Sequence, residues 1–240
     1  MRRTAIVTGA RHRVGRAICE ALLGRGWRVV AHVRGEGDAV AEGAHKVVAD
    51  LAEPDAAPRI IDAAGGHIDL LVNNAARFQP DSLADFSAGE FDAHMAVNLK
   101  APVALTQVLA AKHEAGRDAA IVNILDAKLA APNPDFLSYT LAKAGLAGLT
   151  EIAARALAGK GIRVNAISPA LMLQSLGQDE AGFASVHAAN LLGRGVEPDE
   201  LVDALLYLAD ARSVTGQTII LDGGQRFMAL PRDVQYMEQQ

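Results

Sequence analysis

Short β-branched runs recur along the chain at 4–8, 27–33, 46–49, 68–73, 120–125, 162–167 and 218–221, separated by longer segments rich in Ala and Leu. Each of the first six is followed by a stretch of helical spacing or length. That repeated strand and helix alternation specifies a parallel sheet covered on both faces. The expected architecture is α/β: one doubly wound domain with a seven-stranded parallel sheet flanked by helices. The crossover 35–44 has room for two helical turns at most, and no linker, repeat or low-complexity tract interrupts the chain. A length of 240 residues suits a single core that needs no metal or disulfide staple.

A formal charge of −5 gives no basic field for nucleic acid or anionic lipid. No apolar run approaches the ~18 residues of a membrane span, and Ala5-Ile6-Val7 is too short for a signal-peptide core. The single cysteine, Cys19, has no Cys or His neighbour at metal-ligand spacing and reads as a small buried hydrophobe. The expectation is a cytoplasmic protein with a small-molecule substrate and no nucleic acid, membrane or metal partner.

In a parallel sheet of this kind ligands bind beyond the carboxyl ends of the strands, and the distinctive residues sit there. After the first strand comes Thr8-Gly9-Ala10-Arg11-His12-Arg13-Val14-Gly15-Arg16, opening a helix over 14–23. Glycine allows the tight turn, and the free N–H groups of a helix start attract a pyrophosphate. Further on stand Asn73-Asn74-Ala75-Ala76, Asn98, Tyr139 with Lys143 four residues later, Asn165 to Ala170, and Leu221-Asp222-Gly223-Gly224.

Together, in order and over roughly 4–224, these motifs resemble the short-chain dehydrogenase/reductase family, whose first turn reads Thr-Gly-x-x-x-Gly-x-Gly. The resemblance implies a Rossmann-like domain over 1–224 that binds a nicotinamide dinucleotide and transfers hydride. It implies cofactor contacts from Gly9, Arg11, Arg13, Val14, Gly15, His32, Arg34, Asp50, Leu51, Asn74, Ala75, Ala76, Tyr139, Lys143, Pro169, Ala170 and Leu171. Where an acidic residue at the end of the second strand would hold the ribose of NAD, this chain has His32-Val33-Arg34. Arg34, with Arg13 and Arg11, suits the extra phosphate of NADPH, although the same arginines could be solvated loop charges and Glu36 lies close by. Asp50 resembles a residue that bonds the adenine; an aspartate capping a helix looks the same.

Tyr139 and Lys143 lie on one helix face. The ammonium, with an oxidised nicotinamide, is expected to lower the tyrosine pKa and make it a general acid for reduction. Most family members carry a serine some thirteen residues before the tyrosine; here Asp126 stands there. A carboxyl group can donate a proton, which suits reduction of a C=N bond in a nitrogen-rich ring. Arg13, Asp126 and Phe78 together resemble the pteridine reductase and dihydromonapterin reductase branch, in which an aromatic stacks the pterin. Phe78 is the expected platform, the alternative being a core or loop phenylalanine, and Leu171 joins Phe78, Asp126 and Tyr139 in binding substrate. Ala76 departs from the serine usual in that branch, and Arg77 has no assigned equivalent.

Asn98 is expected to hold a proton-relaying water behind Lys143, or else to satisfy buried backbone. His94 and His113 read as structural or exposed. Segment 173–192 has the composition of a substrate lid. Helices over 90–112 and 138–158 carry apolar residues on more than one face, and the resemblance implies a homotetramer through them. The tail 225–240, with Phe227, Met228, Leu230 and Tyr236, is expected to dock on a neighbouring subunit. A carbonyl reductase of 3-oxoacyl or small-ketone type and a non-catalytic nucleotide sensor are the competing readings.

Overall fold

Alternate residues of each inner strand face opposite layers of helices, so both faces of the sheet are apolar. In the computed structural model, which describes residues 2–173, 183, 186–233 and 236, the strands are β1 (Thr4–Val7), β2 (Arg28–Val33), β3 (His45–Val48), β4 (Leu70–Asn73), β5 (Ala119–Ile124), β6 (Ile162–Pro169) and β7 (Thr218–Leu221). All pair in parallel, in the order β3-β2-β1-β4-β5-β6-β7. The doubly wound sheet expected from the alternation is the one formed.

Ala5, Val7, Val29, Leu70, Val72, Ala120 and Val122 pack against α1 (Arg13–Gly24) and the helix Pro198–Asp210, here α6. Their neighbours Ile6, Val30, Leu71, Ile121 and Val164 pack on the other face, against α2 (Ala56–Asp62), α4 (Ala101–Lys112) and α5 (Leu137–Leu157). Cys19 is buried in the first of these layers, where burial pushes its thiol pKa up to about 12. No helix among the described residues is long and apolar enough to cross a membrane.

Two elements differ from expectation. Residues 35–44 make turns with no helix. The helix expected over 90–112 is two α-helices, α3 (Ala88–Met95) and α4, joined by a π-helical turn, Ala96–Lys100. Pro102 has no N–H to donate to the Asn98 carbonyl in an α-type ladder, and the helix widens immediately before it.

β1 pairs with β2 on one side and β4 on the other, so successive crossovers leave in opposite directions and a crevice opens beyond the strand ends. His32 ties this region together. Its Nε2 donates to the Ala49 carbonyl at 3.0 Å, and its Nδ1 accepts from the Gly9 N–H at 3.3 Å. Burial pushes its pKa down. The folded pKa therefore lies below the unfolded value of about 6.5, and the unfolded chain binds the proton first as pH falls. The thermal midpoint is expected to drop between pH 7 and pH 5, and to drop less steeply in His32→Gln. Equal slopes in a pair of melting series would remove this role.

Candidate active site

The first turn is held against the end of β4 by polar bonds that leave its outer surface open. Thr8 Oγ1 accepts from the N–H groups of Asn74 and Ala75, each at 3.0 Å, and Asn74 Nδ2 donates to the Thr8 and Gly9 carbonyls at 2.8 and 3.2 Å. A Cβ on Gly15 would lie 2.2 Å from the Gly9 carbonyl oxygen and 2.6 Å from Asn74 Nδ2, so only glycine brings α1 this close. No side chain caps the α1 N-terminus, and its N–H groups remain available to an anion. This cradle fits the pyrophosphate of a dinucleotide.

It opens into a cleft of about 1020 Å³. Every cofactor and substrate residue expected above lines this cleft, as do Asp126, Tyr139 and Lys143 of the expected catalytic set. Asn98 stands outside it.

Several of the cleft side chains also bond within the chain. Both ring nitrogens of His32 serve backbone, so it supports the cofactor wall and has no free nitrogen for a ligand. Arg13 adopts a left-handed φ of 55° and donates from Nη2 to the Leu173 carbonyl at 3.0 Å. Its guanidinium thus reaches the segment after β6 while lining the cleft. Arg11 pairs with Asp38 at 2.9 Å. Arg34 is exposed and makes no ion pair among the described residues. Asp50 accepts from the Ala52 N–H at 3.0 Å, which is local turn formation.

At the chemical end α5 is pinned to β5 at successive turns. Asn123 Nδ2 donates to Thr150 Oγ1 at 2.9 Å, Lys143 Nζ donates to the Ile124 carbonyl at 2.5 Å, and Tyr139 Oη donates to Asp126 Oδ2 at 2.9 Å. Asp126 Oδ1 accepts from the Lys128 N–H at 2.9 Å, and so starts a short 3-10 turn, Ala127–Ala130.

Loss of solvation dominates the electrostatics. It raises the Asp126 pKa, with Asp233 adding to the rise; it lowers Lys143 to about 8; and with the Asp126 charge it raises Tyr139 well above its ordinary value. Burial and the Asp126 charge outweigh any lowering of Tyr139 by the Lys143 ammonium, which donates to the Ile124 carbonyl and lies 5.7 Å from the Tyr139 ring centroid. Tyr139 is thus a neutral phenol at neutral pH, the form a proton donor needs.

Asn98 spends its amide on Arg77, accepting from its N–H at 2.7 Å and donating to its carbonyl at 2.9 Å. It positions the Arg77 backbone, and one amide hydrogen and one oxygen lone pair remain beside those two bonds. The Arg77 guanidinium forms a forked pair with Glu90 at 2.7 to 3.2 Å, and buried His94 accepts from the Gln79 N–H at 3.3 Å. The backbone on either side of Phe78 is thereby clamped to α3 and the π turn. Asp81 accepts from the Leu137 N–H through its carbonyl, and from Ser138 N–H and Oγ through its carboxylate, which caps the helix that carries Tyr139. Sequence reasoning missed Arg77, Glu90 and Asp81. Only a capping argument for Asp81 against Ser138 could have exposed one of them, and the 57-residue separation hides it.

Phe78 is 40% exposed, stacks on Phe136 with centroids 4.2 Å apart, and meets Tyr139 edge-on at 4.7 Å. It is a cleft residue, not part of the core. The described tail residues pack on their own chain: Gln225, Arg226, Leu230, Arg232, Asp233 and Tyr236 line the same cleft. Arg232, Asp233 and Tyr236 also contact Lys128, Asp135 and Phe136 of the same chain. Residues 174–182, 184 and 185 of the expected lid lie outside the described residues.

The fold, the glycine cradle and the Tyr139 and Lys143 pair define a nicotinamide-dinucleotide oxidoreductase. The chain belongs to the short-chain dehydrogenase/reductase family: the family model described as enoyl-(acyl carrier protein) reductase matches residues 9–226. L-xylulose reductase of Mesocricetus auratus is 34% identical over 236 residues, 92% of this chain and 96% of that one. A 3-oxoacyl-[acyl-carrier-protein] reductase of Staphylococcus aureus is 31% identical over 242 residues, covering 93% and 98%. Among solved structures, FolM alternative dihydrofolate reductase 1 of Brucella suis, in complex with NADP, superposes with a TM-score of 0.85 and 37% identity over 94% of this chain and 95% of that one.

With Lys143 titrating at about 8, kcat/KM for reduction is expected to fall as pH rises past that value, since this parameter reports the free enzyme. A profile flat to pH 9.5 would show that the ammonium is not required.

Proposed function

We propose that the protein is an NADPH-dependent reductase of a pterin or dihydropterin C=N bond. The observation that carries this reading is the 2.9 Å bond between Tyr139 and Asp126, a carboxyl group of raised pKa, with the Phe78 ring edge-on to the same tyrosine. A ketone needs one proton donor for its developing alkoxide, and a tyrosine suffices. A ring C=N bond takes a proton on nitrogen, and adjacent ring N–H groups call for an acceptor; a carboxyl group can serve both ends. The partly exposed Phe78 face suits a flat heterocycle, where offset stacking contributes roughly 0.5 to 1.5 kcal/mol beyond area burial.

The bound nicotinamide would supply hydride to the ring carbon. Tyr139 and Asp126 then hold one proton between them and deliver it to the adjacent nitrogen, Lys143 keeps positive charge behind the pair, and solvent restores the proton. Gly9, Gly15 and the α1 N-terminus would hold the pyrophosphate. Arg34 is the side chain for the additional phosphate of NADPH, with Arg11 shared between that phosphate and Asp38. The NADP bound in the Brucella suis structure supports this choice.

The second reading is a carbonyl reductase of 3-oxoacyl or small-ketone substrates, favoured by the 30% range of identity to curated enzymes of that kind. In it Asp126 merely replaces a serine.

Two measurements separate these. NADPH oxidation is expected with dihydropterins and not with a ketone panel, and Asp126→Ser is expected to cut pterin turnover by about 100-fold, the usual worth of a proton-transfer group. Undiminished pterin turnover in that variant, or turnover of ketones alone, favours the second reading. Arg34→Glu is expected to reverse cofactor preference by about 10- to 100-fold, as loss of a charge-assisted bond implies; an unchanged ratio of NADPH to NADH kcat/KM would assign the phosphate elsewhere.

A further inference from the structure

The final described turn of the chain is tied to the segment between Asp126 and Tyr139 at four places. Arg232 makes a forked pair with Asp135, Nε to Oδ2 and Nη2 to Oδ1, both at 2.8 Å. The Asp233 N–H donates to Asp135 Oδ2 at 2.8 Å, and Lys128 Nζ lies 3.4 Å from Asp233 Oδ2. Tyr236 stacks on Phe136, with centroids 5.9 Å apart and rings inclined by 13°. Chain termini ordinarily fray unless tied down. Here the ties are a carboxylate 10% exposed, an ammonium 9% exposed and a ring stack, well beyond what one surface ion pair provides.

Phe136 is the link. It begins α5 at a left-handed φ of 53°, costly for a bulky side chain and sustained only by what surrounds it. One of its neighbours is Tyr236 and the other is Phe78, again inclined by 13°. Three nearly parallel rings thus run from the tail to the cleft wall, with Lys128 5.3 Å from the Phe136 centroid and Arg232 5.1 Å from that of Tyr236.

We propose that Tyr236 is a positioning residue: through Phe136 it holds Phe78 as the wall of the substrate slot, and the Arg232–Asp135 and Lys128–Asp233 pairs keep it in place. This builds on the slot described in the preceding subsection. All three anchors, Lys128, Asp135 and Phe136, lie in the stretch that joins the two proton-handling residues. Release of the tail therefore loosens the wall that the substrate touches, and leaves the distant cofactor cradle as it was.

The test is steady-state kinetics of Tyr236→Ala, Tyr236→Phe and Arg232→Ala, with melting temperatures alongside. Tyr236→Ala is expected to raise the substrate KM about fivefold, the worth of one aromatic pair, with kcat and the NADPH KM within about twofold of wild type. Tyr236→Phe keeps the ring and is expected to match wild type. Arg232→Ala is expected to raise the same KM, and the double variant no further than the larger single change, since both act on one element. An unchanged KM in Tyr236→Ala overturns the proposal. So does Tyr236→Phe behaving like Tyr236→Ala, or a KM rise accompanied by equal loss of NADPH affinity and stability. If the wild type reduces ketones and no pterin, the reading above falls, and the same comparison on the reduced ketone still decides the role of Tyr236.

Discussion

The attachment of α5 to β5 organises this molecule. A helix packed on an apolar sheet can slide or rotate at small cost, because dispersion contacts are many and unspecific. Polar bonds inside that contact remove the freedom, since leaving any one unmade in a buried place costs about 1–3 kcal/mol. Here there are three along the helix: Asn123 with Thr150, Ile124 with Lys143, and Asp126 with Tyr139. The last joins the two groups proposed to handle the proton. The same register that fixes the fold therefore sets the distance between the two proton-handling groups, and burial of that register displaces all three pKa values from their ordinary range.

The remaining walls are built onto this axis from outside. Asp81 caps α5 where it begins, and Ser138 beside Tyr139 takes the bonds. Phe78 reaches the tyrosine from a loop held at Arg77 by Asn98 and Glu90, and at Gln79 by His94. The tail arrives last and grips the stretch between Asp126 and Tyr139. The glycine cradle is independent of all this. It depends on the close approach of Gly15 to Gly9 and on the Asn74 side chain, so the cradle and the Phe78 wall are held by separate sets of contacts.

That division matches what the sequence alone made legible. Strand positions follow from β-branched runs that must bury both faces, and the cleft residues follow from their places just after those strands. Residues whose meaning depends on a partner distant in sequence were harder. Asn98 read equally well as a water holder or a buried polar group, and only the position of Arg77 shows which backbone its amide bonds. His32 lies where a cofactor contact is expected, yet Ala49 and Gly9 claim both its ring nitrogens, and Arg13 also reaches the Leu173 carbonyl. The Tyr139 pKa is set by desolvation and by the Asp126 charge, neither of which appears in a four-residue spacing. The break at Ala96–Lys100 was visible in principle, because Pro102 stood in the middle of an expected helix.

The most direct test of the central claim, that Asp126 and Tyr139 serve the reduction of a ring C=N bond, follows the transferred atoms. NADPH carrying deuterium at the nicotinamide C4 is incubated with a dihydropterin, and the product is read by NMR. The expected result is one deuterium on the ring carbon of the former C=N bond, with the proton on the adjacent nitrogen drawn from solvent, and loss of that product in Asp126→Ser. Unlabelled, unreacted dihydropterin, together with deuterium on the carbinol carbon of a ketone tested in parallel, would contradict it.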